Sequence, residues 1–213
     1  MLAVPPAGME ATLRAGVAIY NAGHYHAAHD AWEDHWLDLP DGDDERFLHG
    51  LIQFTAAVYH ARNRNWSGAT GLAESGRGYL ADLPADYRGV NVGTVRASLA
   101  GLERDPERIE RGPPPRLTHE GEALALEDLD FGATAVAADV LAEELGYDEA
   151  VVERAVAYAR ADIDAGEEGS AFVTLLFDFV RDPDSRAVAV QRLAERVDRR
   201  ANRDGDVDGL FEE

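Results

Sequence analysis

The chain has 213 residues, of which 41 are acidic and 20 are basic, and its formal net charge is −21. This charge excludes a protein that tracks nucleic-acid phosphates, because such a protein needs a basic stripe. The absence of cysteine excludes disulfides and cysteine-ligated zinc, and no apolar run approaches the ~18 residues that a membrane-spanning helix needs.

The first half of the chain predicts five helices separated by turn signals. Apolar residues recur at helical spacing, and Gly23, Pro40 and Pro84 mark breaks between the periodic segments. The predicted helices cover residues 8–22, 25–39, 44–63, 66–83 and 92–104. The proline-rich segment 111–116 then predicts an extended spacer.

The second half predicts four further helices, at residues 131–145, 148–165, 170–182 and 183–200. Pro183 is expected to open the last of them, and residues 123–126 fit either a short strand or a helical turn. We therefore expect an all-α protein, a compact antiparallel helical bundle with additional C-terminal helices packed on it. The expected domains are a bundle module at 1–110, an acidic helical region at 117–200 and a flexible acidic tail at 201–213.

The acidic residues are concentrated in the second half. Residues 1–119 hold 16 acidic residues and 11 arginines, whereas residues 120–213 hold 25 acidic residues and 9 arginines. The chain contains no lysine. Asp and Glu hold water and ions, and at molar salt the Debye length falls to about 3 Å, which screens their repulsion. We interpret this composition as halophilic; a basic partner is the competing interpretation. The N-terminus lacks the pattern of a signal peptide, so we expect a cytoplasmic protein.

Polar and aromatic side chains concentrate in the second and third predicted helices. His29 and Glu33 are four residues apart and share a helix face. His49, Gln53 and His60 form one stripe of the next helix, since eleven residues make about three turns. Folding the two helices about a turn near residue 41 places His29 opposite Gln53 and Glu33 opposite His49. The sequence therefore predicts that His29 contacts Glu33, and that one of the two contacts Gln53 or His60.

Two motifs, AHDAWEDHW at residues 28–36 and FLHGLIQ at residues 47–53, resemble the domain-of-unknown-function 309 family. That family's pattern is roughly AHE-x-x-E-x-x-W followed by FLQGLIQ-x-A. The matching residues are His29, Glu33, Trp36, Gly50, Leu51, Ile52 and Gln53. Asp30 stands where Glu is usual, and His49 stands where Gln is usual. The resemblance is to a haloarchaeal-type member over about residues 20–105, and it implies a compact helical bundle with no established activity.

Three interpretations of the polar cluster remain open. The first is a buried network in which His29 donates a hydrogen bond to Glu33 and Gln53 fills the remaining partners. The second is a divalent metal site formed by His29, Glu33 and His60, to which His49 adds a further ligand. The third is a small-molecule pocket lined by the same residues.

The function expected from the sequence is that of a structural or interaction module with a buried His/Glu/Gln cluster, and self-association fits this role. The alternative is a metal-dependent enzyme or small-ligand-binding protein that uses the cluster. Neither a nucleic acid nor a membrane is expected as a partner, and no catalytic residue can be assigned. Solvent access distinguishes the two functions, because a cluster open to water beside His29 and Glu33 favours the alternative.

Overall fold

The structure, a computed structural model, describes residues 8–167 and 169–208. Within these ranges it contains nine α-helices and no named strand, which confirms the all-α fold class. The helices are α1 (Met9–Asn21), α2 (Tyr25–Leu37), α3 (Asp43–Arg62), α4 (Trp66–Leu80), α5 (Val92–Arg104), α6 (Phe131–Leu145), α7 (Glu149–Asp164), α8 (Ala171–Arg181) and α9 (Arg186–Asp208). Short 3-10 helices lie at Pro106–Arg111 and Leu126–Asp128.

Most predicted helices agree with the observed ones to within three residues at each end, because glycine, proline and asparagine mark the breaks. The prediction that Pro183 opens the last helix is wrong. The Asp182 side chain instead accepts hydrogen bonds from the Ser185 hydroxyl at 2.6 Å and the Asp184 amide at 3.1 Å. These bonds hold a turn, so α9 begins only at Arg186.

α9 also continues eight residues beyond the predicted end at residue 200. Residues 201–208 of the predicted flexible tail are therefore helical, and residues 209–213 lie outside the described part of the chain. Residues 123–125 take neither of the two conformations expected for them, and the 3-10 helix Leu126–Asp128 follows.

The contacts divide the chain into two compact units, one of residues 8–140 and one of the described residues from 141 onward. The domains predicted at 1–110 and 117–200 stay predictions, because contact density alone does not show which fragment folds by itself. Among the described residues, no helix has both the length and the apolar character needed to cross a bilayer.

In the first unit, helices that are consecutive in the chain pack against each other from α1 to α5. Two glycines permit close approaches between neighbouring helices. A Cβ at Gly16 of α1 would overlap the fully buried ring of Trp32 on α2, and a Cβ at Gly50 of α3 would overlap Leu80 of α4. These close contacts hold α2 against α1 and α3 against α4, and α2 and α3 carry the polar side chains described next.

Candidate functional site

The polar residues of α2 lie at the border between its packed face and solvent. The buried face consists of Ala27, Ala28, Ala31 and Trp32. His29, Asp30 and Glu33 flank this face and are all partly exposed. Because α2 packs on α1 and α3 through its small residues and Trp32, these three side chains are held beside the packed face without being sealed inside it.

Asp30 organises the site, because two imidazoles contact its carboxylate. His26 Nδ1 lies 2.9 Å from Oδ2, and His29 Nδ1 lies 3.0 Å from Oδ1. The two imidazole rings are nearly parallel, with centroids 6.0 Å apart. Each carboxylate oxygen therefore faces one imidazole nitrogen, which restrains both rings against the same side of α2.

Glu33 completes a group of three metal-ligating side chains. Its Oε2 lies 3.9 Å from His29 Nδ1, so the predicted contact between His29 and Glu33 is present as a loose ion pair. One ligand atom from each of His29, Asp30 and Glu33 lies within 4.8 Å of the others. The side chains are 25%, 23% and 43% exposed, respectively. This group, called the α2 triad below, can therefore be reached from solvent.

The two carboxylates alter the acidity of His29. The hydrogen bond with Asp30 raises the pKa of the imidazole above its usual value, burial opposes this effect, and the negative charges of Glu33 and Asp30 add to the rise. The protonated imidazole is therefore favoured by its surroundings. A cation that binds the triad has to compete with that proton.

The partners predicted for the triad across the helix pair lie elsewhere. His60 Nδ1 pairs with Asn65 Nδ2 at 2.8 Å, in the loop that precedes α4. Gln53 faces α4, where a Cβ on Gly76 would lie 3.1 Å from its own Cβ. Within the described residues, no hydrogen bond or ion pair joins His29 or Glu33 to Gln53 or His60.

A shift in helix register explains the difference. The predicted pairing placed His49 opposite Glu33, whereas its ring lies 4.5 Å from that of Trp36. At the other end of the pair, Tyr59 lies 5.7 Å from His26. The observed register differs from the predicted one by three residues, which is about one helical turn.

His49 belongs to a separate aromatic group next to the triad. Its ring stacks on Tyr79 of α4 with centroids 3.8 Å apart. Glu45 Oε1 accepts a hydrogen bond from Trp36 Nε1 at 2.8 Å and lies 3.5 Å from His49 Nδ1. His49 is thus held between α2 and α4 by aromatic packing, so it adds no ligand to the triad.

The sequence contained a signal for the two residues that the prediction missed. His26 and Asp30 are four residues apart, the same spacing that identified His29 and Glu33. Asp30 also follows His29 directly, and this adjacency brings the two side chains together at the edge of the buried face. A search limited to residues four apart on a helix face overlooks the adjacent pair of His29 and Asp30.

Comparison with known proteins connects this geometry to a family. Residues 13–72 match the model of DUF309, described as a domain of unknown function. The match confirms the resemblance seen in the two motifs, and this DUF309 segment contains the whole triad. An uncharacterized protein of Aquifex aeolicus (strain VF5) is 26% identical over 100 residues, which cover 47% of this chain. The aligned region spans 29% of that relative's length.

Proposed function

We propose that the α2 triad binds a divalent transition-metal ion. The observation that carries this proposal is the convergence of His29, Asp30 and Glu33, whose ligand atoms lie within 4.8 Å of one another. One imidazole and two carboxylates form a mixed nitrogen and oxygen set, which suits ions such as Zn²⁺, Fe²⁺ or Mn²⁺.

The arrangement also supports a site that stays accessible after the metal binds. Three protein ligands leave at least one coordination position for water or a further ligand, as in catalytic rather than structural zinc sites. His26 contacts the carboxylate of Asp30 and so restrains one of the proposed ligands. Restraint of this kind commonly raises the metal affinity of a site.

Solvent access favours this proposal over the structural or interaction module expected from the sequence. A buried network would enclose its members and pair their polar atoms. Glu33 is 43% exposed, and its carboxylate reaches His29 only at 3.9 Å. The packing of α2 is instead provided by Trp32 and the alanines, so the side chains of the triad are not needed for packing and can bind a ligand.

Calorimetric titration with Zn²⁺ tests the proposal. At about pH 8, where an ordinary histidine is neutral, we expect one ion per chain, with affinity reduced at least about tenfold in His29→Ala and in Glu33→Ala. Affinity should also fall as the pH drops through the raised pKa of His29, because protonation removes a ligand.

His60→Ala is the matched control, because it removes a histidine of the DUF309 segment that pairs with Asn65 outside the triad. It should bind Zn²⁺ as the unmodified chain does. Binding that is absent from the unmodified chain, or that is equal in His29→Ala and His60→Ala, would contradict the proposal.

A further inference from the structure

A cavity of about 470 Å³ lies in the first unit, away from the α2 triad. Its walls are the C-terminal half of α5, the 3-10 helix Pro106–Arg111 and the proline segment 112–115. The volume lies within the range typical of small-molecule sites. All of these elements lie outside the DUF309 segment at residues 13–72, so neither the family match nor the metal proposal bears on this cavity.

The charged residues around the cavity are mainly cationic, in a chain with twice as many acids as bases. Arg104, Arg108 and Arg111 line it, and Asp105 is the one acidic residue of its lining. Asp105 is engaged by Arg111. In the part of the chain that the structure describes, neither Arg104 nor Arg108 forms an ion pair with a carboxylate. Two guanidinium charges at this cavity are therefore left without a carboxylate partner.

The position of Arg108 depends on a glycine. Its guanidinium lies against the backbone of Gly101 on α5, where a Cβ would overlap its Nη1 and come within 2.6 Å of its Cζ. Any other residue at position 101 would displace this group. The absence of a side chain at Gly101 therefore lets Arg108 lie along the wall of the cavity.

Apart from these charged residues, Ser98 is the one polar side chain of the lining, and the other side chains are apolar. Ile109 contributes aliphatic surface, and the three consecutive prolines 113–115 add a wall that has no backbone N–H donors. Guanidinium groups bind carboxylates and phosphates through paired hydrogen bonds. A ligand that satisfies both parts of the lining carries an anionic oxygen group at one end and a short apolar group at the other.

We propose that this cavity binds a small organic anion, either a carboxylate or a phosphate ester with a short apolar group. Arg104 and Arg108 hold the anionic group, and Ile109 and the prolines contact the apolar part. Hexanoate and phenyl phosphate represent the two sources of that anionic chemistry. Acetate and inorganic phosphate carry the same charged groups without the apolar part.

Calorimetric titration of the full chain with these four probes, at constant ionic strength, tests the proposal. We expect hexanoate or phenyl phosphate to bind, and to bind more tightly than acetate or inorganic phosphate. The probe that binds identifies the anionic group. Arg108→Ala should weaken that binding about tenfold, the effect of losing a charge-assisted pair of hydrogen bonds.

Gly101→Ala provides a second test that keeps every charge. Alanine favours a helix, so this variant should fold while its methyl group displaces the Arg108 guanidinium and weakens binding. Arg154→Ala on α7 is the control, because it removes an exposed arginine with the same loss of charge. No binding by any probe, or equal weakening in Arg154→Ala and Arg108→Ala, would overturn the proposal. Unchanged binding in both Arg108→Ala and Gly101→Ala would also overturn it.

Discussion

At the scale of single residues, Asp30 accounts for the geometry of the candidate site. Its two oxygens face His26 and His29, and its carboxylate raises the pKa of His29 through a hydrogen bond and through its charge. An aspartate is short enough to remain beside α2, close to the neighbouring His29. Asp30 is therefore the residue that connects the two histidines to the rest of the triad.

The exposure of Glu33 predicts that this residue contributes little to folding stability. Its carboxylate is 43% exposed and lies 3.9 Å from His29 Nδ1, and exposed pairs of this kind contribute about 0–1 kcal/mol. We expect Glu33→Ala to change the free energy of unfolding by less than about 0.5 kcal/mol, measured by urea denaturation without added metal. A loss of about 1–3 kcal/mol would show an unsatisfied buried partner instead, and would support a structural network.

At the scale of elements, one carboxylate joins three helices of the second unit. Asp162 of α7 is 4% exposed and accepts a hydrogen bond at 2.6 Å from Ser170, the residue that caps α8. It also pairs with Arg200 of α9, whose guanidinium lies 4.7 Å from the Tyr158 ring centroid and 5.8 Å from that of Phe172. The packing of α7, α8 and α9 therefore includes a buried charge that is satisfied on two sides.

Asp162→Asn should destabilise this unit by about 1–3 kcal/mol near neutral pH, because it removes an ion pair and weakens a buried hydrogen bond. Burial alone would raise the pKa of Asp162, but the hydrogen bonds from Ser170 and Arg200 and the charge of Arg200 lower it. A lowered pKa stabilises the fold above the unfolded-state value, and this contribution is lost as the pH falls through the folded-state value.

The difference in unfolding free energy between the unmodified chain and Asp162→Asn should therefore shrink as the pH falls below about 4. Asp164→Asn supplies the control, since it makes the same change at an exposed position of α7. Denaturant titrations of all three proteins between about pH 3 and 7 provide the measurement. A difference that does not depend on pH would show that the Asp162 charge adds nothing to stability.

At the scale of the whole molecule, the net charge of −21 is expected to make stability depend on salt. Twenty arginines cannot pair one-to-one with 41 carboxylates, so many acidic groups repel each other across the surface. The halophilic interpretation predicts that salt relieves this repulsion, because the Debye length falls from ~30 Å at 10 mM to ~3 Å at 1 M.

Dialysis from molar KCl into ~10 mM salt should therefore lower the melting temperature sharply, as followed by circular dichroism. Sucrose at matched osmolality is the control, because it stabilises folded proteins by exclusion without screening charge. If the melting temperature is the same at both salt concentrations, or if sucrose replaces KCl fully, the acidic composition has another cause.

Much of the local structure could be predicted from the sequence. Helical periodicity and glycine, proline and asparagine breaks located the nine helices of the described residues, with α5 and α6 correct at both ends. Both ends of α9 were the exception: the side chain of Asp182 holds the turn around Pro183, and the helix continues eight residues past its predicted end. The contact between His29 and Glu33 was also predictable, because residues four apart in one helix always share a face.

The relation between helices was decided by tertiary packing alone. A shift of one turn between α2 and α3 keeps the same apolar stripes buried, so periodicity cannot distinguish the two registers. The observed register is the one in which Trp36 contacts His49 and His26 contacts Tyr59. That choice places His49 beside Trp36 and turns Gln53 toward α4.

The arginine cavity likewise depends on contacts between elements. The Arg108 guanidinium can lie along the cavity wall because Gly101 has no side chain to displace it. The sequence by itself determined the all-α class, the helices, the excess of acid and the residues of one helix face that meet. The tertiary structure decided which faces meet one another. The physical reason is that backbone geometry sets the spacing within a helix, whereas the complementary shapes of two surfaces set the register between helices.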